Sequence, residues 1–205
     1  MMSCLAGAIR TYLLKTTSEQ HPIDLPVAMT FNSRSLSDKT KTVIPLGNNS
    51  GGVLFDLPIS VADPILRLTL TKDKLNRLKN LSYPHIISMI YSNIIGILPG
   101  FVGKFSTSSI KRHVSLIVSN VPGPVETMTM MGDPVDKILF APPLVGDTGL
   151  AVSLFSYNGS LKMTVMSDES IMKSPRELIE CFENEVKILG SCLLGDNLLV
   201  EKTAA

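Results

Sequence analysis

Three histidines are the residues of this sequence best suited to acid–base chemistry. A general base must reach the hydroxyl that it deprotonates and must be oriented by a second group. His21 precedes a proline in a polar stretch, His85 borders an apolar segment, and His113 opens a predicted strand. No partner can be assigned to any of them from the sequence, so we predict no catalytic residue in this chain.

Other reactive side chains give equally weak signals. Glu180 and Glu183 have helical spacing, but a solvated helix face explains them better than an acid–base pair. Cys4, Cys181 and Cys192 include no CxxC pair, which favours free thiols over a disulfide framework or a zinc site. The sequence has no GxSxG, Walker A, GxGxxG or HExxH motif. We therefore expect no metal and no bound cofactor.

The stretch SNVPGP is the feature that most suggests a ligand site. It comprises Ser119, Asn120, Val121, Pro122, Gly123 and Pro124. Each proline fixes its own φ and restricts the residue before it, while the glycine permits a sharp bend. One interpretation is a rigid turn that ends a strand and satisfies nearby backbone groups. The other is a fixed wall of a ligand channel, with the serine and asparagine directed inward.

Composition indicates a globular chain with an excess of apolar residues. Hydrophobic residues make up 44% of the 205 and charged residues 18%, with a mean hydropathy of +0.27. This is too apolar for disorder, and the excess predicts a partner, a lipid ligand or a membrane face. The net charge is +1, and there is no basic stripe with interleaved aromatics, which argues against a nucleic-acid partner.

The predicted elements define an α/β fold, a mixed layered sheet with helices packed on it. An amphipathic helix opens the chain, two strands follow, and a helix begins at Asp63 as cap and Pro64 in the first turn. Residues 83–103 are apolar enough for a spanning, an interfacial or a packed helix, and a helix packed on the sheet is favoured.

The second half of the chain predicts five short strands and a closing helix. Asn158-Gly159 predicts a type I′ hairpin turn between two alternating strands. The spacing of Ser174 and Glu177 predicts a capping box at the start of the helix, and Gly190 predicts its end. Residues 1–190 are then one domain, and residues 191–205 a loose tail.

Several of these motifs together resemble the C-terminal domain of the bacterial-type wax ester synthase/diacylglycerol acyltransferase family. The VSNVPGP loop, the SYNG hairpin, LPVAMTFNSRS, LGNNSGGVLFDLPISVADPILRL and the closing helix carry the resemblance over about residues 3–190. The matching positions outside SNVPGP, which we expect to be structural, are Arg34, Gly47, Asn48, Asp63, Pro64, Arg67, Ser156, Tyr157, Gly159 and Asp168.

The resemblance implies an O-acyltransferase of triacylglycerol or wax ester synthesis. Its co-substrate would be acyl-CoA, and its acceptor diacylglycerol or a fatty alcohol. The fold would be like that of chloramphenicol acetyltransferase and condensation domains, in which two similar halves enclose a channel. In that family a histidine of an HHxxxDG motif in the first half acts as the general base.

This sequence lacks HHxxxDG, so it resembles the second half alone. We expect it to work with an N-terminal half, either in one longer chain or as a separate protein, with SNVPGP lining the channel between them. The alternatives are a non-catalytic lipid- or CoA-binding module and a truncated product. The resemblance also implies a cytoplasmic protein, peripheral on the endoplasmic reticulum or plasma membrane.

Overall fold

A computed structural model describes residues 1–32, 50–80, 114–144 and 148–195. Several positions singled out above lie outside the described residues. They are Arg34, Gly47, Asn48, His85, His113 and the apolar segment 83–103.

Within the described ranges the chain forms helices on a mixed sheet, which confirms the predicted α/β fold. The elements are α1 (Met2–Thr16), β1 (Leu25–Asn32), β2 (Ser50–Leu57), α2 (Pro64–Asn80), β3 (Leu116–Pro122), β4 (Thr129–Met130), β5 (Asp133–Pro134), β6 (Leu150–Tyr157), β7 (Ser160–Ser167) and α3 (Pro175–Leu194). None of these helices is both long enough and apolar enough to cross a bilayer.

Five strands form the main sheet in the order β2-β1-β3-β6-β7. β1, β3 and β6 run parallel in its centre, whereas β2 and β7 pair antiparallel at the two edges. β4 and β5 form a separate two-stranded ribbon. The carboxyl ends of the three parallel strands therefore meet at one edge of the sheet, here called the carboxyl edge.

One face of the sheet and the three helices enclose the core. The register aligns Val27 with Leu116 and Val118 with Val152, so apolar side chains of neighbouring strands share that face. These side chains pack with buried residues of the helices, Leu5 of α1 among them, in a single cluster. The period-2 alternation that predicted the strands thus also marks the face that the helices cover.

The start of α2 is confirmed and is tied to β1. The Leu66 N–H donates to Asp63 Oδ1 at 2.6 Å, and Pro64 is the first helical residue. Further along α2, Lys74 Nζ lies 2.9 Å from Asp24 Oδ2, while the Ser60 hydroxyl donates to Asp24 Oδ1 at 2.6 Å. Burial tends to raise the pKa of the Asp24 carboxyl, but the hydrogen bonds from Ser60 and Lys74 outweigh it and lower that pKa.

Both ends of α3 differ from the prediction. The Ser174 side chain makes no cap bond; its carbonyl instead accepts from the Glu177 N–H at 3.2 Å. Gly190 does not end the helix, which continues to Leu194 and stops at Gly195 with φ 74°. A glycine inside a helix costs only about 1 kcal/mol, and four further helical residues follow it. Residues 191–194 are therefore helical rather than loose.

The interpretation of SNVPGP as a turn that ends a strand is wrong for its first four residues. The strand continues to Pro122, with Asn120 opposite Leu154 and Pro122 opposite Ser156 of β6. β1 pairs with β3 only as far as Ser119. Among the described strands, Pro122 therefore has a partner on the β6 side only, and proline is tolerated at such an edge.

One of the five strands predicted for the second half of the chain, over DKILFAP (residues 136–142), is absent from the described structure. β4 and β5 are two residues each, and residues 135–144 form no regular structure. This segment runs over the sheet face opposite the helices, where the Ser153 hydroxyl donates to the Phe140 carbonyl at 2.5 Å. The Phe140 ring also meets the Phe155 ring edge-on, with centroids 5.7 Å apart.

Candidate functional site

The carboxyl edge brings together SNVPGP and SYNG, which are more than 30 residues apart in sequence. SNVPGP forms the end of β3, and SYNG ends β6 and turns into β7. In open α/β sheets ligands bind outside the carboxyl ends of the strands. This edge is therefore the candidate site.

Gly123 locks the two motifs against each other. Its N–H donates to Ser156 Oγ at 3.2 Å, and next to it the Pro124 carbonyl accepts from the Asn158 N–H at 3.0 Å. A Cβ at position 123 would collide with the Ser156 carbonyl oxygen and with the Phe155 ring. The glycine is required for this close approach, and the loop lies rigidly on the hairpin.

The hairpin has the predicted type I′ character. Asn158 has φ 46° and Gly159 φ 71°, and the two-residue turn links strands in register from Tyr157↔Ser160 to Leu150↔Ser167. The buried Tyr157 hydroxyl accepts from the Met128 N–H at 2.9 Å and donates to the Val135 carbonyl at 2.7 Å. Tyr157 therefore holds both ends of the β4–β5 ribbon.

Ser119 and Asn120 point to opposite faces of the sheet, as neighbours on a strand must. Ser119 Oγ accepts from the Thr30 hydroxyl at 3.1 Å on the face away from the helices. Asn120 lies on the helix side, at the mouth of a cleft between the beginning of α1 and α2. The two polar groups that we expected to line one channel therefore serve two different surfaces, and Asn120 is the one that faces the cleft.

This cleft, here called the α2 cleft, has a volume of about 360 Å³. The residues of α2 that line it recur every three or four positions and so share one face of the helix. They are Leu68, Thr71, Lys72, Leu75, Asn76 and Lys79. Met2 and Ser3 of α1 form part of the opposite side. The cleft thus combines an apolar wall with amide, hydroxyl and ammonium groups.

A buried ion pair fixes the helices behind the cleft. Arg67 of α2 is 2% exposed and donates through Nη2 to Glu185 Oε2 of α3, which is 8% exposed. Arg67 also donates from Nε to the Ser3 carbonyl of α1 at 3.2 Å, and its own carbonyl accepts from the Thr71 hydroxyl at 2.7 Å. Ser3 lines the cleft on the α1 side, so the Arg67 side chain, held by Glu185, joins α2 to the opposite side of the cleft.

Gly7 of α1 completes that junction. A Cβ there would collide with the Glu185 carboxylate and the Arg67 guanidinium. The remaining guanidinium nitrogen, Nη1, donates to the Val61 and Ala62 carbonyls at 2.8 and 2.9 Å. Every nitrogen of the buried Arg67 side chain therefore has a partner, as the burial of a charge requires.

Sequence reasoning missed both the pair and the orientation of α2. An amphipathic helix is expected to bury its apolar residues, yet Ile65 of α2 is 39% exposed, and the most buried positions of this helix are Arg67 and Thr71. Glu185 gave no signal at all. The sequence feature that could have indicated a buried charge is Arg67, which stands among the apolar residues of α2. Gly7 of α1 was the second such feature, because a glycine permits close packing of helices.

Asp168 lies at the opposite edge of the sheet from SNVPGP. It follows β7, and its N–H donates to the carbonyl of Gly149, just before β6 begins. The Asp168 carboxylate accepts from the Ser170 N–H and hydroxyl at 2.8 and 2.6 Å, which lowers the pKa of this exposed group. Its role in the described structure is to shape a turn.

The titratable side chains in the described ranges form no metal site or activated nucleophile. No three His, Cys, Asp or Glu residues gather there in a way that could hold a metal ion. Burial raises the pKa of the Cys4 and Cys181 thiols, the reverse of what a reactive cysteine needs. Cys192 is exposed on α3.

The sheet order, the parallel centre and the loops at the carboxyl edge define a half of the CoA-dependent acyltransferase and condensation-domain fold. Two solved structures share it: the wax ester synthase/diacylglycerol acyltransferase from Marinobacter aquaeolei VT8, with a TM-score of 0.56 at 17% identity, and the epimerization domain from the third module of tyrocidine synthetase B, with 0.55 at 14%. They align with 92% and 93% of this chain, but this chain covers only 42% and 41% of theirs.

The chain belongs to the WS/DGAT C-terminal domain family, whose family model matches residues 46–190. Wax ester synthase/diacylglycerol acyltransferase 4 of Arabidopsis thaliana is 30% identical over 146 residues, 69% of this chain and 27% of that protein. A Mycobacterium tuberculosis H37Rv protein, named as a candidate diacylglycerol O-acyltransferase, is 27% identical over 185 residues, 87% of this chain and 38% of its own length. The chain thus spans less than two fifths of either relative.

Proposed function

We propose that this chain is the C-terminal half of an O-acyltransferase that moves a fatty acyl group from acyl-CoA to diacylglycerol or a fatty alcohol. The observation that carries the proposal is family membership over residues 46–190 in a chain that spans about two fifths of its relatives' length. The arrangement at the carboxyl edge supports it, because a rigid loop and an open cleft lie where a ligand would enter.

The reaction that we propose moves the acyl group from the sulfur of a thioester to the oxygen of a hydroxyl. The acceptor hydroxyl oxygen attacks the thioester carbonyl, a C–O bond forms and the C–S bond breaks. The hydroxyl proton passes through a general base to the departing thiolate. In the relatives that this chain resembles, that base is a histidine of HHxxxDG, which is absent from this sequence. We therefore propose that an N-terminal half, either in the same longer chain or in a separate protein, supplies it.

The part that this chain would play is to form one wall of the reaction channel. The loop at Gly123 is fixed on the hairpin by contacts with Ser156 and Asn158, so Asn120 projects from a rigid strand end. Preorganised polar groups lower a barrier because they need no rearrangement when charge develops. Asn120 is the residue that we expect to face the reactants.

Two preparations test this function. The purified 205-residue chain is incubated with radiolabelled acyl-CoA and either diacylglycerol or a fatty alcohol, alone or with an N-terminal half that carries HHxxxDG. We expect ester only from the combination, and none when the histidine of that half is replaced by alanine. Ester made by the 205-residue chain alone would refute the requirement for a second half.

The loop is tested in the combined preparation. Asn120→Ala should lower the rate of ester formation, whereas Asn158→Gly should not, because glycine adopts the φ of 46° without strain. Equal rates in the two variants would argue that Asn120 has no place in the channel.

We also propose that the assembled protein binds membranes peripherally, at the endoplasmic reticulum or plasma membrane, because its acceptors are dissolved in lipid. Exposed apolar side chains on and beside the ribbon support this, among them Val125, Met130 and Met131. Flotation with phosphatidylcholine vesicles tests it: the chain should rise with the vesicles, and a Met130→Ser/Met131→Ser variant should rise less.

A further inference from the structure

The α2 cleft carries positive charge that no carboxylate of the described residues pairs with. Lys72 and Lys79 are both exposed at its wall, and no described carboxylate lies within ion-pair distance of either. Lys74, between them in sequence, points elsewhere and pairs with Asp24. Seven residues of helix place Lys72 and Lys79 about 10 Å apart along one face of α2.

Apolar surface lies between the two lysines and beside them. Leu75 sits between them on the same face, Leu68 continues that face by another turn, and Met2 of α1 faces them across the cleft. The volume of about 360 Å³ falls within the range of small-molecule sites, which combine an apolar lining with a few placed polar groups. Such a site suits an amphipathic ligand with a negative head.

The cleft is also held in shape before any ligand arrives. Arg67 of α2 donates to the Ser3 carbonyl of α1, which joins the two walls of the cleft, and Glu185 holds Arg67 from behind. A preorganised site binds without the cost of ordering its walls. The buried ion pair gives the α2 cleft this property.

We propose that the α2 cleft binds the acyl donor of the reaction through the phosphates of CoA, with Lys72 and Lys79 as phosphate ligands and the apolar wall in contact with the acyl chain. This inference rests on the proposed function. Diacylglycerol and fatty alcohols are neutral and cannot form an ion pair with the lysines. The phosphates of the donor are negatively charged and can form charge-assisted hydrogen bonds with them. Asn120 lies at the mouth of the cleft, where the thioester would meet the acceptor.

Binding to the 205-residue chain tests this proposal without any need for catalysis. The probe is decyl-CoA, a thioether that cannot transfer its chain, and the measurement is isothermal titration calorimetry below its micelle concentration. K72Q/K79Q should weaken binding about tenfold, as expected for the loss of two exposed charge pairs. The matched control K173Q/K187Q removes the same charge from exposed lysines outside the cleft and should leave the affinity unchanged.

The comparison ligands identify which chemistry the cleft recognises. CoA alone should bind more weakly than decyl-CoA but keep its dependence on the two lysines, and added salt should weaken both. Equal affinity for decanoate would overturn the assignment to phosphate. Equal loss in the two double variants, or no binding of decyl-CoA by the unaltered chain, would overturn the cleft as donor site.

The proposed function can fail independently of this site. If the combined halves make ester while K72Q/K79Q leaves decyl-CoA binding unchanged, the chain is a transferase half whose donor binds elsewhere. If decyl-CoA binding depends on the two lysines but the combination makes no ester, the site stands as a CoA-ligand site and the transferase assignment falls.

Discussion

The buried pair of Arg67 and Glu185 gives the sharpest test of how this fold is held together. Removing one partner of a buried ion pair leaves the other charge uncompensated, at a cost of about 3–5 kcal/mol. Glu185→Gln should therefore destabilise the chain by that amount, since the 2% exposed guanidinium has no water to replace the carboxylate. In a domain of this size the loss corresponds to a fall in Tm of about 6–20 °C.

Arg67→Met should cost more than Glu185→Gln. The substitution also removes the donors to the carbonyls of Ser3, Val61 and Ala62. Each lost hydrogen bond contributes about 1 kcal/mol, and the bond to the Ser3 carbonyl is the fully buried one of this set. The double variant R67M/E185L should recover much of the loss, because apolar replacement of a whole buried pair is often neutral.

Urea unfolding followed by far-ultraviolet circular dichroism measures these differences, and the sequence has no tryptophan to report by fluorescence. Glu180→Gln is the matched control on the same helix. Its pair with Arg176 is solvent-exposed, with side chains 64% and 87% accessible, and its loss should change stability by about 0.5 kcal/mol or less. A cost for Glu185→Gln no larger than that for Glu180→Gln would refute the reasoning, as would a double variant as unstable as the sum of its parts.

Three further outcomes follow from contacts already described. The pKa of Asp24 is lowered in the folded chain. The stability that this carboxylate contributes is therefore complete above its unfolded pKa near 4 and is lost as the pH falls through the folded pKa. Asp24→Asn should flatten the acid side of a plot of urea midpoint against pH. Gly123→Ala should destabilise by about 1–3 kcal/mol in the same urea assay because its Cβ has no space, whereas Gly52→Ala, with open space around it, should not. With iodoacetamide followed by mass spectrometry, Cys192 should be alkylated well before the two buried thiols; equal rates would contradict their burial.

The sequence was informative wherever a pattern is local and periodic. Alternation in LAVSLFSY and SLKMTVMS predicted β6 and β7, and Asn158-Gly159 predicted their turn, because these preferences are properties of neighbouring residues. The Asp63 cap was found for the same reason. The order of helices and strands was then enough for the fold class.

The errors arose where distant residues decide the outcome. SNVPGP contains two prolines and looks like a loop, yet pairing with β6 extends the strand to Pro122. Gly190 is a residue type that commonly ends helices, but α3 continues through it for one more turn. Nothing local marks Glu185 as the partner of Arg67, since the two are 118 positions apart and only the packing of α3 on α2 brings them together.

The parallel centre of the sheet also determines the order in which this chain can fold. Strands β1 and β3 meet across 89 residues, and closing a loop of that length costs about 4 kcal/mol of chain entropy before any contact repays it. The β6–β7 hairpin closes across two residues and can form within microseconds. The apolar β3 strand must therefore wait, unpaired on the β1 side, while the hairpin is already present. During refolding of the complete chain, that interval is when β3 is most exposed to pairing with another chain.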